Sequence, residues 1–201
     1  MPDGVDEDKR ATLRQFAALG AATSLAGVLD HPQEDSDARE AILGYLTATP
    51  GAHLSKIRDD LGLGTGETQH HLRRLLEADA IESVRDGDYR RFFPAGRFGS
   101  FEQVALGYLR RETPRGMVIE LLSDPNASVG DLASALDVAP PTVSKHAAAL
   151  EEAGLLDREG GYALARPETM LVLLVRYADS FDADAVDFAS EAATHITVEE
   201  T

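Results

Sequence analysis

Residues 61–81 read LGLGTGETQHHLRRLLEADAI and residues 136–156 read LDVAPPTVSKHAAALEEAGLL. Set over one another, the two stretches align without a gap. Both carry a His at the same position (His71, His146), a Leu four residues on (Leu75, Leu150) and Glu-Ala near the end (Glu77-Ala78, Glu152-Ala153). Self-similarity of this kind marks a duplicated unit. Two copies cannot build a solenoid, so the chain reads as tandem copies of one small domain.

Upstream of the first stretch, residues 37–47 place Ala41, Ile42, Tyr45 and Leu46 on one face at helical spacing. Pro50-Gly51 then breaks the chain. A second short helix is predicted from about Leu54, with Leu54, Ile57 and Leu61 inward and Lys56, Arg58, Asp59 and Asp60 outward. Gly62 and Gly64 flank Leu63 in a turn where a left-handed backbone favours glycine. Thr65 is expected to cap a third helix running to about residue 80. On that helix Thr68, Leu72 and Leu75 form the core stripe, while Glu67, Gln69, His70, Arg73 and Arg74 lie mostly outside it. The period then changes. Residues 81–85 and 89–93 are β-prone runs separated by Asp86-Gly87-Asp88, a hairpin signal.

Helix, helix, turn, helix, hairpin is the order of a winged helix-turn-helix. The second copy repeats it with helices near 114–122, 129–136 and 140–153 and a shorter hairpin around Glu159-Gly160-Gly161. The expected fold is therefore mainly α with small β-hairpin wings, two tandem winged helix-turn-helix domains plus flanking helices. The expected boundaries are an N-terminal extension with an Ala-rich helix (1–36), winged helix 1 (37–97), a linker helix (98–112), winged helix 2 (113–166), and a C-terminal helix with an acidic tail (167–201). From 178 onward the tail carries seven acids and no Lys or Arg, and is read as a solvated, partly helical end.

Composition narrows the chemistry. The chain has 201 residues, 43% hydrophobic and 27% charged, which is globular make-up. With no Cys, disulfide scaffolds, thiolate metal clusters and cysteine nucleophiles are excluded. No apolar run reaches the roughly 18 residues of a spanning helix. The net charge is −16, from 35 acidic against 19 basic residues, and only three of the basic residues are lysine. Such scarcity of Lys amid excess carboxylate resembles cytoplasmic proteins of salt-in halophiles, haloarchaea above all. In molar salt the Debye length falls to about 3 Å, so surface charges barely repel one another or DNA. The placement of the cations then matters more than their sum. Residues 53–97 hold eight basic and eight acidic residues, whereas residues 128–166 hold three and six.

The phrase SKHAAALEEAGLL at 144–156 resembles the recognition helix and strand entry of ArsR- and MarR-like winged-helix regulators. Residues 50–94, with the QHHLRRL of 69–75 and the YRRFFP of 89–94, are similar to the archaeal branch of that superfamily. The resemblance covers roughly residues 37–166 and implies a transcription regulator that reads duplex DNA. The second copy departs from the pattern, because Ala147, Ala148 and Ala149 stand where the first has Leu72, Arg73 and Arg74.

In such a fold the third helix enters the major groove and the hairpin reaches the flanking backbone. The candidate DNA contacts are Lys56, Thr65, Thr68, Gln69, His70, Arg73, Arg74, Arg85, Tyr89, Arg90 and Arg91 in the first copy. Thr142, Ser144 and Lys145 are those of the second. Gln69 suits an adenine edge, and Arg73 or Arg74 can pair bidentately with guanine. Lys56, Thr65 and Thr68 are phosphate candidates, Thr68 lying also on the core stripe. Arg90 and Arg91 can reach the minor groove or backbone, with the Tyr89 hydroxyl beside them. The structural alternative is that these arginines only balance nearby acids.

Other chemistry is thin. His53, His70 and His71 invite a metal reading, but adjacent helical residues point about 100° apart and do not readily share an ion. No metal or other cofactor is expected. No nucleophile–base pair and no phosphate-cradling glycine loop stands out, so an enzyme is not expected. Lys9-Arg10 followed by an Ala-rich stretch resembles a twin-arginine export signal, yet export would part a DNA binder from its DNA. The favoured reading is a packing or dimerisation helix, with membrane association the minority case.

The expectation is thus a cytoplasmic, sequence-specific regulator bound to double-stranded DNA as a homodimer, its effector not named by the sequence. The rivals are a tandem winged-helix adaptor without DNA readout and a membrane-tethered regulator.

Overall fold

The computed structural model describes residues 33–198, with side chains described over 37–192. The expectations for the N-terminal Ala-rich helix and its signal-like Lys9-Arg10 fall outside the described residues. The chain divides into two units, one ending at Gly99 and the other beginning at Ser100. As the hydrophobic periods predict, both are mainly helical with small antiparallel sheets.

The first unit runs α1 (Gln33–Ala48), β1 (Ala52–His53), α2 (Leu54–Leu61), α3 (Thr65–Glu77), β2 (Ile81–Asp86) and β3 (Tyr89–Pro94). Its core is what the apolar stripes foretell. Ile42, Tyr45 and Leu46 of α1 meet Ile57 and Leu61 of α2, Leu72 and Leu75 of α3, and Phe92 of β3. The Tyr45 hydroxyl donates to Asp60 at 2.8 Å, so α1 and α2 are tied by polar as well as apolar contact.

The turn before α3 is set by two glycines. Gly62 adopts φ 64°, and its N–H returns to the last carbonyls of α2. Gly64, and not Thr65, caps α3; Thr65 is its first helical residue. The reason is Glu67, whose carboxylate accepts from the Gly64 N–H at 3.0 Å, while the Gly64 carbonyl accepts from the Thr68 N–H at 2.8 Å. A carboxylate three positions into the helix does the satisfying that a threonine hydroxyl would otherwise do.

The sheet has the order β1-β3-β2, all antiparallel. The hairpin closes between paired Asp86 and Tyr89, with Gly87 at φ 59° in the first central position. The third strand, β1, is not foreshadowed by the sequence. It pairs Ala52 with Phe92 and His53 with Arg91.

The second unit runs α4 (Ser100–Leu109), α5 (Glu112–Ser123), α6 (Val129–Ala135), α7 (Pro140–Glu152), β4 (Leu156–Asp157), β5 (Ala163–Leu164), α8 (Pro167–Tyr177), a 3-10 turn (Ala178–Ser180) and α9 (Ala183–Val198). Met117, Leu132, Val143, Leu150, Leu155 and Leu174 make its core. The helix expected as a linker, α4, instead packs on α5 and α8 and buries Ala105, Leu106 and Leu109.

The acidic end is partly helical with Asp179, Asp184, Asp187 and Glu191 exposed, as expected, but its start is fastened to the unit. Arg115 ion-pairs with Asp182 and donates to the Leu109 carbonyl at 2.9 Å, while Arg110 reaches the Ser180 hydroxyl at 3.0 Å. Phe181 lies beneath both guanidinium groups, at 4.4 and 5.8 Å. Two arginines from the α4–α5 junction thus fasten the start of the tail, and Ala185 of α9 is fully buried.

Candidate nucleic-acid interface

A helix with Thr68, His71, Leu72 and Leu75 buried must turn its remaining residues outward. On α3 the exposed side chains are Thr65, Gln69, His70, Arg73 and Glu77, a stripe at spacings of three and four. Arg73 makes no hydrogen bond or ion pair among the described residues. Arg74 sits to one side, half-buried, with Glu77 at 3.7 Å. Of the two arginines, Arg73 is therefore the one on the reading stripe. Gln69 stands one helical turn before it, and the His70 ring meets the buried His71 edge-on at 5.3 Å.

The hairpin separates its basic residues by their distance from its tip, since Tyr89 and Arg90 are exposed and the four residues from Arg91 to Pro94 are buried. Arg90 is exposed; its Nε donates to the Ser83 hydroxyl at 2.8 Å and its guanidinium lies 5.7 Å from the Phe92 ring. Arg91, on the other face, is only 4% exposed. It ion-pairs with Asp86 and donates to the Gly51 carbonyl at 3.0 Å. Arg91 is thus an internal tie and not a DNA contact, which corrects the sequence-based expectation.

Thr68 is corrected in the same way. It is fully buried, with its hydroxyl donating to the Gly64 carbonyl at 2.9 Å, and has no path to a phosphate.

The other candidates keep to the surface. Lys56 pairs with Asp60 at 2.8 Å, Thr65 accepts from Arg58 at 3.4 Å, and Arg85 donates to the Gly87 carbonyl at 3.3 Å. Tyr89 is 51% exposed at the wing and stacks on His53 with ring centroids 4.8 Å apart. In the second unit, Ser144 and Lys145 are exposed and Thr142 is half-buried. Ala147 there is buried, while Ala148 occupies the place of Arg73, so the corresponding stripe lacks a guanidinium.

His53, for which sequence reading set a metal role aside without finding another, has a structural one. Its Nδ1 caps α2 by accepting from the Lys56 N–H at 3.3 Å. Burial first, then the nearby Arg91 guanidinium, holds its pKa below the ordinary 6.5. The available signal was position, because His53 directly precedes an apolar-spaced short helix. His53, Gln69, Arg73, Tyr89 and Arg90 all border one cleft of about 550 Å³ between α3 and the wing. Recognition-helix and wing cations therefore share one side of the unit.

This geometry has counterparts. Residues 36–106 match a family model described as an N-terminal HTH domain (HTH_HVO_0163_N). Residues 115–158 match the bacterial regulatory protein, arsR family. Both stretches are thus similar to helix-turn-helix domains. Over 121 residues the chain is 29% identical to a Methanocaldococcus jannaschii protein named "Uncharacterized HTH-type transcriptional regulator MJ1398". That stretch is 60% of the chain but 30% of the relative, so the chain spans under a third of the relative's length. No solved structure matches it. Among the described residues no helix is long and apolar enough to cross a membrane.

Proposed function

We propose that the chain is a sequence-specific, DNA-binding transcription regulator that reads duplex DNA with α3 and the wing of its first unit. The observation that carries this reading is that Gln69, Arg73, Tyr89 and Arg90 line one cleft, with Arg73 paired to no acid among the described residues. Gln69 and Arg73 supply the base-edge chemistry of the major groove. Lys56, Thr65, Arg85 and Arg90 supply register on the phosphates. The second unit, without an arginine on its stripe, adds less to readout. The chain acts in the cytoplasm as a homodimer, since one unit reads only a short half-site and two copies present readers about 34 Å apart or a multiple of that. It is a binding protein and carries out no reaction.

Selection from a random duplex library in molar KCl, followed by anisotropy on the enriched site, tests this. One sequence class is expected to emerge. Arg73→Ala should weaken it by about 1–3 kcal/mol, roughly five- to 150-fold, and relax one base position. Arg90→Ala should weaken all sequences alike and flatten the salt dependence. An unenriched library, or Arg73→Ala binding as the parent does, overturns the proposal.

A further inference from the structure

The cleft between α3 and the wing has two chemistries in one space. Its floor is apolar, built from Leu54, Leu72, Leu76 and Phe92, and its rim carries Arg73 and Arg90. At about 550 Å³ it falls within the range of small-molecule sites. Leu72 and Phe92 are fixed in the core, so the floor is rigid, while the two guanidinium groups stand at the solvent edge. Asp88 is the one rim carboxylate, at the wing tip. Arg73 makes no ion pair among the described residues, and Arg90 donates through its Nε to Ser83 while its guanidinium lies 5.7 Å from the Phe92 ring, with no acid paired to it among the described residues. Planar forks of this kind grip carboxylates bidentately.

We propose that this cleft is an effector site for a small apolar carboxylate, aromatic or alkyl, whose hydrocarbon rests on Leu72 and Phe92 and whose carboxylate takes Arg73 and Arg90. The proposal rests on the DNA-reading role given to Arg73 and Arg90. An occupant of the cleft engages the same guanidinium groups, so ligand and duplex compete directly. The chain needs no conformational relay to be released from its site.

Naphthoate and its neutral counterpart, naphthalenemethanol, are the probes. They are titrated against the full chain, with and without the selected duplex, by calorimetry and anisotropy. Naphthoate is expected to bind saturably, roughly tenfold tighter than the alcohol, because one charge-assisted contact is worth about that factor. It should also raise the apparent Kd for duplex linearly with its free concentration, by one plus the ratio of that concentration to its own Kd, without levelling off. Leu76→Phe, which fills the floor, should abolish naphthoate binding while leaving duplex binding in place; Leu54→Phe serves if the first variant does not fold. Equal binding of acid and alcohol, absence of saturable binding, or naphthoate binding that survives the filled floor overturns the inference. So does simultaneous binding of naphthoate and duplex. A chain that takes naphthoate in the cleft yet never enriches a duplex sinks the regulatory reading and leaves the carboxylate site standing.

Discussion

Arg90 and Arg91 are chain neighbours with opposite fates. Burial sets in along β3 between them, leaving Arg90 at the exposed tip and turning Arg91 onto Asp86 and the Gly51 carbonyl. A buried guanidinium is tolerated only while its charge and its donors are met. Arg91→Ala is therefore expected to cost about 3 kcal/mol by removing the buried ion pair with Asp86 and the hydrogen bond to Gly51. Replacing both residues with apolar ones (Arg91→Met with Asp86→Leu) should recover most of that. Urea denaturation of the three proteins measures it, and an Arg91→Ala protein as stable as the parent contradicts the assigned role. The pair of arginines was visible in the sequence but their division was not. It depends on β1, whose two residues are too few for any period to register. Thr68 shows the opposite case, since its place on the apolar stripe with Leu72 and Leu75 already pointed inward.

At the scale of elements, α2 and the wing meet at His53. Its ring caps the helix, stacks on Tyr89 and lies in the strand that pairs with β3. Capping by Nδ1 requires a lone pair, and burial with Arg91 nearby already disfavours the charged ring. The sign follows. A His whose folded pKa is lowered contributes stability that is present above its unfolded value near 6.5 and is lost as pH falls through the folded value. His146 in α7, lowered by burial and then by Lys145, adds in the same direction. The midpoint of thermal unfolding should thus drop between pH 7.5 and pH 5.5, and His53→Asn, which caps without titrating, should shrink the drop. A drop of unchanged size in the variant would exclude His53 as its source. Most helices were legible because their apolar spacing is long and regular. Their ends were less so: the Gly64 cap depends on Glu67, and α4 differs from a linker only through what it packs against.

For the whole molecule, charge and architecture tell different stories. The net charge of −16 describes the surface that solvent sees, while the face with the reading stripe draws on a charge-balanced stretch of sequence. The same holds at the acidic end, where Asp182 is spent on Arg115. Sequence reading took the run of acids as solvated, and Asp179, Asp184, Asp187 and Glu191 are exposed; Asp182 departs from it because the arginine that meets it lies far back along the chain. Asp182→Ala should cost about 2 kcal/mol, the usual worth of hydrogen bonds to a charged group. Amide hydrogen exchange should quicken across α5 and α9 and stay unchanged in α3, since the two units have separate cores. Faster exchange in α3 would contradict that independence.

The tie from Arg91 to the Gly51 carbonyl bears on how long a bound copy stays in place. A hairpin bolted to its own domain arrives already ordered, so docking freezes no loop. Dwell time is then governed by the number of contacts that must break together, and target sites should differ in release rate far more than in capture rate.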